Sequence, residues 1–158
     1  MTSTDLDRLG ELSPPEQRDL AVTMAKLVAP YARWDAEVIT PQKFDDWLDA
    51  LATLDPSVAR AVVTDARTIV DRYVEEPEGH GFFAFGAVVN VLYAAEVIVG
   101  EEADAVINCA KRFLDVAGAA DDDGQAGLFT DACDWLRSPS PSAETRVRAG
   151  IEDHGRRS

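Results

Sequence analysis

The run from Phe82 to Val99 is apolar nearly all round, with one amide, Asn90, and one charge, Glu96, inside it. A helix with no polar face must be covered on every side, by lipid or by the rest of its own chain. The run is at the lower length limit for crossing a bilayer, where about 20 apolar residues are needed. Acids flank it at Glu75, Glu76 and Glu78 and again at Glu101, Glu102 and Asp104. No Lys or Arg occurs between Arg72 and Lys111, so the cationic anchor of a membrane span is missing. The expectation is a helix at the centre of a water-facing bundle.

The neighbouring segments supply the cover. Ser13-Pro14, Thr40-Pro41 and Asp55-Pro56 each set a capping side chain before a proline at the first helical position. A short helix is expected near Asp5 to Leu12. A second runs from Pro14 with Leu20, Met24, Leu27 and Val28 on one side, and Pro30 ends or kinks it before a further turn or two over Tyr31 to Val38. Phe44, Trp47, Leu48, Leu51 and Leu54 give a third helix, about 41–54, one buried face. The fourth, about 56–75, carries Val58, Val62, Ala66, Ile69 and Tyr73. Beyond the central helix, closed by Gly100, a sixth is expected over about 102–117 with Gly118 as its cap. An acidic loop, 119–125, then leads to a seventh with Leu128, Ala132, Cys133, Trp135 and Leu136 in one stripe. No stretch alternates with period two. The fold expected is all-α: a bundle of six or seven helices around Phe82 to Val99.

Ser138-Pro139-Ser140-Pro141-Ser142 has the composition of a linker, so one helical domain, 1–137, and a mobile, mildly basic tail, 138–158, are expected. His154 falls in that tail and is given no role. The first residues show no cationic stretch followed by an apolar run, and Cys109 and Cys133 are too few for a disulfide scaffold. A cytoplasmic protein with two free thiols is the expectation.

Charge is the strongest compositional signal. Fifteen Lys and Arg stand against 29 Asp and Glu, a formal net charge of −14. From Arg137 onward five arginines and three acids give +2, which leaves −16 on the body. Direct binding to nucleic acid or to an anionic membrane needs a basic footprint and is not expected.

Several constellations bear on chemistry. Asp45-Asp46-Trp47-Leu48-Asp49 matches the Asp-Asp-x-x-Asp pattern with which isoprenoid synthases hold magnesium diphosphate, but no second metal motif accompanies it. Asp45, Asp46 and Asp49 also point away from the Phe44/Trp47/Leu51 face. Glu101-Glu102-Ala103-Asp104, with Glu75 to Glu78 upstream, resembles the paired acidic motifs of all-α nucleotide pyrophosphohydrolases, where carboxylates on two helices hold magnesium over a triphosphate. Pro77 and Gly79 keep the upstream half off a regular helical face. Asp121-Asp122-Asp123-Gly124 resembles a calcium loop, yet Ala119 and Thr130 occupy the two end positions where an acid is required. His80, between Gly79 and Gly81, is a titratable imidazole in a helix-entry loop. Asn90 and Glu96, with Tyr93 between them, set polar groups in an apolar helix. A buried carboxylate must find a partner or raise its pKa, and Arg67, Arg72 and Arg112 are the candidate partners for Glu96.

Three functions compete. The first is a non-enzymatic interaction module of the immunity, antitoxin or adaptor type, docking a basic partner through Asp45, Asp46, Asp49, Asp121, Asp122 and Asp123. The second is a magnesium-dependent hydrolase of phosphorylated small molecules, with Glu101, Glu102 and Asp104 as ligands. The third is a binder of an apolar small ligand at Asn90, Tyr93, Glu96 and His80. The first is preferred, because the body carries −16 and no complete catalytic set is present; no cofactor is expected.

Overall fold

The proline-capped starts appear where the sequence sets them. A computed structural model describes residues 1–157 and contains eight α-helices: α1 (Ser3–Asp7), α2 (Pro14–Leu27), α3 (Pro41–Ala52), α4 (Pro56–Val70), α5 (His80–Val99), α6 (Ala105–Asp122), α7 (Leu128–Arg137) and α8 (Pro141–Gly155). Two 3-10 segments, Arg8–Glu11 and Ala29–Arg33, follow α1 and α2, and the described residues form no strand. Ser13 accepts from the Glu16 amide while Glu16 accepts from that of Ser13, a reciprocal capping box. Thr40 accepts from the Lys43 amide at 3.3 Å, and Asp55 from that of Ser57 at 2.8 Å. Each cap satisfies an amide that has no partner inside its helix.

α5 is the centre. Its main neighbours are α4, α6 and α2, and all but five of its residues are buried. The helix is long and apolar enough to cross a membrane by composition alone, but 83% of its apolar window is covered by the rest of the chain. Its packing against α6 is close: a Cβ on Gly86 would come within 2.6 Å of Val116 Cγ2. Cys109 and Cys133 are both buried as free thiols, and burial pushes the Cys109 thiol far above its ordinary range.

Three expectations fail. α4 ends at Val70, not near residue 75. α6 does not stop at Gly118; it runs on to Asp122, which shortens the acidic loop. Gly118 lies under the Phe129 ring, with 3.5 Å between that ring and a Cβ built on the glycine. Asp121 then accepts from the Phe129 amide at 3.0 Å, tying the end of α6 to the start of α7.

The larger correction concerns the expected linker and mobile tail. Ser140 caps α8 by accepting from the Ala143 amide at 3.2 Å, with Pro141 in the first turn. α8 buries Ala143, Val147, Ile151 and His154 on one face and packs against α7, α2, α6 and the 3-10 turn at Ala29–Arg33. The spacing 143, 147, 151, 154 is that of a single helical stripe.

Ile151 is 1% exposed. Ile151→Ala is therefore expected to cost about 2–5 kcal/mol of stability in a urea titration. A loss below about 0.5 kcal/mol, ordinary for an exposed position, would contradict a packed α8.

Candidate functional site

The N-terminal end of α5 is where the groups of chemical interest gather. Gly79 precedes the helix at φ 59°, ψ −134°, a backbone conformation open only to glycine, and has no side chain to cap the helix. That turn carries the acidic segment Glu75–Glu78 directly onto His80. The result is an open cleft of about 610 Å³ between the α4–α5 connection and the C-terminal end of α6. Phe82, Phe83, Pro77 and Ala119 line it with apolar surface. Glu76, Glu78, Asp122 and Asp123 line it with carboxylates, and His80 stands at its edge.

A buried polar knot lies beside this cleft. His154 is fully buried, with its Nδ1 2.7 Å from the Tyr31 hydroxyl and its Nε2 2.8 Å from Asp123 Oδ2. A carboxylate can only accept, so Nε2 carries a proton, and in the neutral ring Tyr31 donates to Nδ1. Burial, with the Asp123 charge adding to it, pushes the Tyr31 phenol well above its ordinary range and keeps it a neutral donor. Tyr31, Trp34 and Phe83 pack their rings around the imidazole at centroid distances of 5.5, 5.0 and 5.2 Å. Trp34 also donates from Nε1 to the Gly155 carbonyl at 3.1 Å. The knot thus ties α8 to α6 and to the turn after α2. Both nitrogens of His154 are engaged inside the protein, which leaves neither free for a substrate. Asp123 is different: its side chain is 66% exposed and faces the cleft as well as the imidazole.

The four pocket candidates separate. His80 does line the cleft, its ring 4.7 Å from that of Trp34. Asn90, Tyr93 and Glu96 do not join it. Asn90 is fully buried against α6, donating to the Cys109 carbonyl at 3.2 Å, while its Oδ1 has no partner. Tyr93 is half-buried on α5. Glu96 pairs with Arg67, one of the three arginines singled out for it. Its pKa is raised, because burial outweighs the Arg67 charge.

The metal candidates are not brought together. Arg60 grips Glu101 with both guanidinium nitrogens at 2.7 and 3.1 Å, which lowers the carboxyl's pKa and consumes its charge. Glu102 and Asp104 are exposed on the turn before α6, which begins only at Ala105, so no helical face aligns them. The described residues include no group of three or more His, Cys, Asp or Glu able to hold a metal ion.

The docking candidates fall into two places. Asp45, Asp46 and Asp49 lie exposed on the outer face of α3, where Gln42 donates to Asp46 at 2.9 Å. Asp122 and Asp123 rim the cleft, while Asp121 is occupied in holding α7. No family model matches the chain, and no curated protein or solved structure is detectably similar to it.

Two outcomes check this geometry. His154→Ala removes a buried ring and strands the Tyr31 hydroxyl, an expected loss of about 2–4 kcal/mol in urea. Asp123→Asn keeps an acceptor oxygen and is expected to lose less than about 1 kcal/mol, since the neutral imidazole makes a hydrogen bond rather than an ion pair and the Asp123 side chain is 66% exposed. The reverse order would mean that charge, not packing, holds the knot. For Glu96, a raised folded-state pKa means that the ionised form is disfavoured by folding. Its cost is absent below the ordinary carboxylate range and develops as pH rises through the folded-state value. Glu96→Gln is expected to match the parent protein in melting temperature at acidic pH and to exceed it at neutral pH. A variant less stable at neutral pH would show that the Arg67 pair outweighs the burial.

Proposed function

We propose that this chain is a non-enzymatic interaction module that docks a basic partner. The observation that carries the reading is the cleft at the head of α5, where carboxylates edge an aromatic floor. Among the described residues no ion pair neutralises Glu78 or Asp122. The formal charge of −14 supports it at longer range, because a field of one sign raises the encounter rate with an oppositely charged protein and orients its approach. The exposed acids of α3 extend the same field over another face.

The buried knot fits this reading better than it fits catalysis. A general base must reach a reacting proton, and His154 and Tyr31 are both fully buried. Their arrangement stiffens one wall of the cleft.

The test is the affinity for the partner recovered from the native cell, measured with purified components from about 50 to 500 mM salt. Exposed charge pairs are screened over a Debye length of about 8 Å at physiological ionic strength. A basic partner whose affinity falls steeply across that range is expected. A neutral or acidic partner held equally well throughout, or turnover of a nucleotide by the pure protein, would contradict the proposal.

A further inference from the structure

The cleft has features that narrow what it can take, and the inference drawn from them rests on the docking reading above. Its acids are not clustered tightly enough for a metal ion: no three potential ligands converge among the described residues. They are spread instead around a floor of Phe82 and Phe83, with Phe82 half-exposed. Spread carboxylates over an aromatic face suit a flat, delocalised cation better than a compact one. The C-terminal end of α6, which carries Asp122 and Asp123, adds the negative end of a helix dipole on the same side.

The chain already seats such a group at the margin of this cleft. Arg112 pairs with Glu76, a cleft residue, and holds its guanidinium carbon 6.0 Å from the centroid of the Phe85 ring. Carboxylate and phenyl ring thus already frame one guanidinium, drawn from α6. Elsewhere in the cleft lining, Glu78, Asp122 and Phe82 offer the same pair of chemistries, and none of the ion pairs among the described residues engages either acid. Arg157, the other cation close by, is committed to Gln125 at 2.6 Å and to Asp153 at 3.2 Å. An anion is a poor fit, since a phosphate would meet Glu78, Asp122 and Asp123 at once.

We propose that the cleft between Glu78, Phe82 and Asp122 is the seat of a single arginine side chain presented by the basic partner, its guanidinium lying on Phe82 between the two carboxylates. Arginine is favoured over lysine because a planar guanidinium can stack on the ring while donating to acids on either side. Glu76 stays with Arg112 and Asp123 stays with His154, so the recognition falls on Glu78 and Asp122.

The experiment is an NMR titration of the isotope-labelled full chain at low salt. The probes are N-acetyl-arginine amide, the lysine analogue, inorganic phosphate and a hexa-arginine peptide. The expected result is saturable shifts of Glu78, His80, Phe82 and Asp122 with the arginine probe, weaker ones with lysine and none with phosphate. Glu78→Gln with Asp122→Asn should weaken arginine binding about fivefold or more, and Phe82→Ala about threefold. Glu78 and Asp122 are exposed while Phe82 is half-buried against the core, so an unchanged melting temperature for the acid pair and a retained cooperative melt for Phe82→Ala confirm that the variants fold. Asp45→Asn combined with Asp46→Asn and Asp49→Asn should leave the cleft shifts intact. If arginine or hexa-arginine instead shifts α3, or binds equally to the Glu78/Asp122 variant, this seat is wrong while docking of a basic partner survives. If hexa-arginine perturbs nothing at low salt, both fall.

Discussion

Everything in this fold follows from the need to cover α5 on all sides. A helix with buried Phe83, Val91, Leu92, Val89 and Val97 pointing in different directions cannot be satisfied by one neighbour. α4, α6 and α2 cover its length, and the 3-10 turn after α2 covers the end that begins at His80. Apolar burial drives this at about 25 cal/mol per Å². It also fixes where polar chemistry can sit: at the ends of the central helix or between the helices that enclose it.

The two ends are treated differently. At the C-terminal end, Glu96 and Glu101 pair with Arg67 and Arg60, both from α4, Glu102 and Asp104 stand exposed on the turn beyond, and the hollow beside them holds only about 150 Å³. At the N-terminal end one acid, Glu76, is paired with Arg112 and a second, Asp123, with His154, while Glu78 and Asp122 are left over. That asymmetry makes the head of α5, rather than the Asn90–Glu96 stretch, the place to look for a partner. Asn90, the one buried amide, turns inward to the Cys109 carbonyl and opens to no surface.

Much of the architecture was legible in local sequence. The starts of α2, α3 and α4 were written by a capping residue before proline, and α5 by its unbroken apolar run. The miss at α8 is instructive because Ser140-Pro141 is that same signature, hidden inside a stretch whose Ser/Pro composition reads as linker. The stripe Ala143, Val147, Ile151 and His154 carried the correcting signal. The polar knot was not legible, for a physical reason. Its hydrogen bonds join His154 to residues 123 and 31 positions away, and nothing near His154 in sequence announces Tyr31 or Asp123. Of the candidate acids, Asp45, Asp46 and Asp49 were correctly expected to point away from the buried face of α3. The consumption of Asp121 by α7 and of Glu101 by Arg60 needed the tertiary arrangement.

The knot links this architecture to the proposed activity, since one wall of the cleft is rigid only if α8 is locked against α6. Native-state hydrogen exchange tests that most directly. Amides of α8 from Val147 to His154 should exchange with the same free energy of opening as those of α5, as expected when both belong to one cooperative unit. If α8 exchanges at the rate of an unstructured peptide while α5 stays protected, the C-terminal helix is not part of the core, and the cleft beside it has no fixed wall.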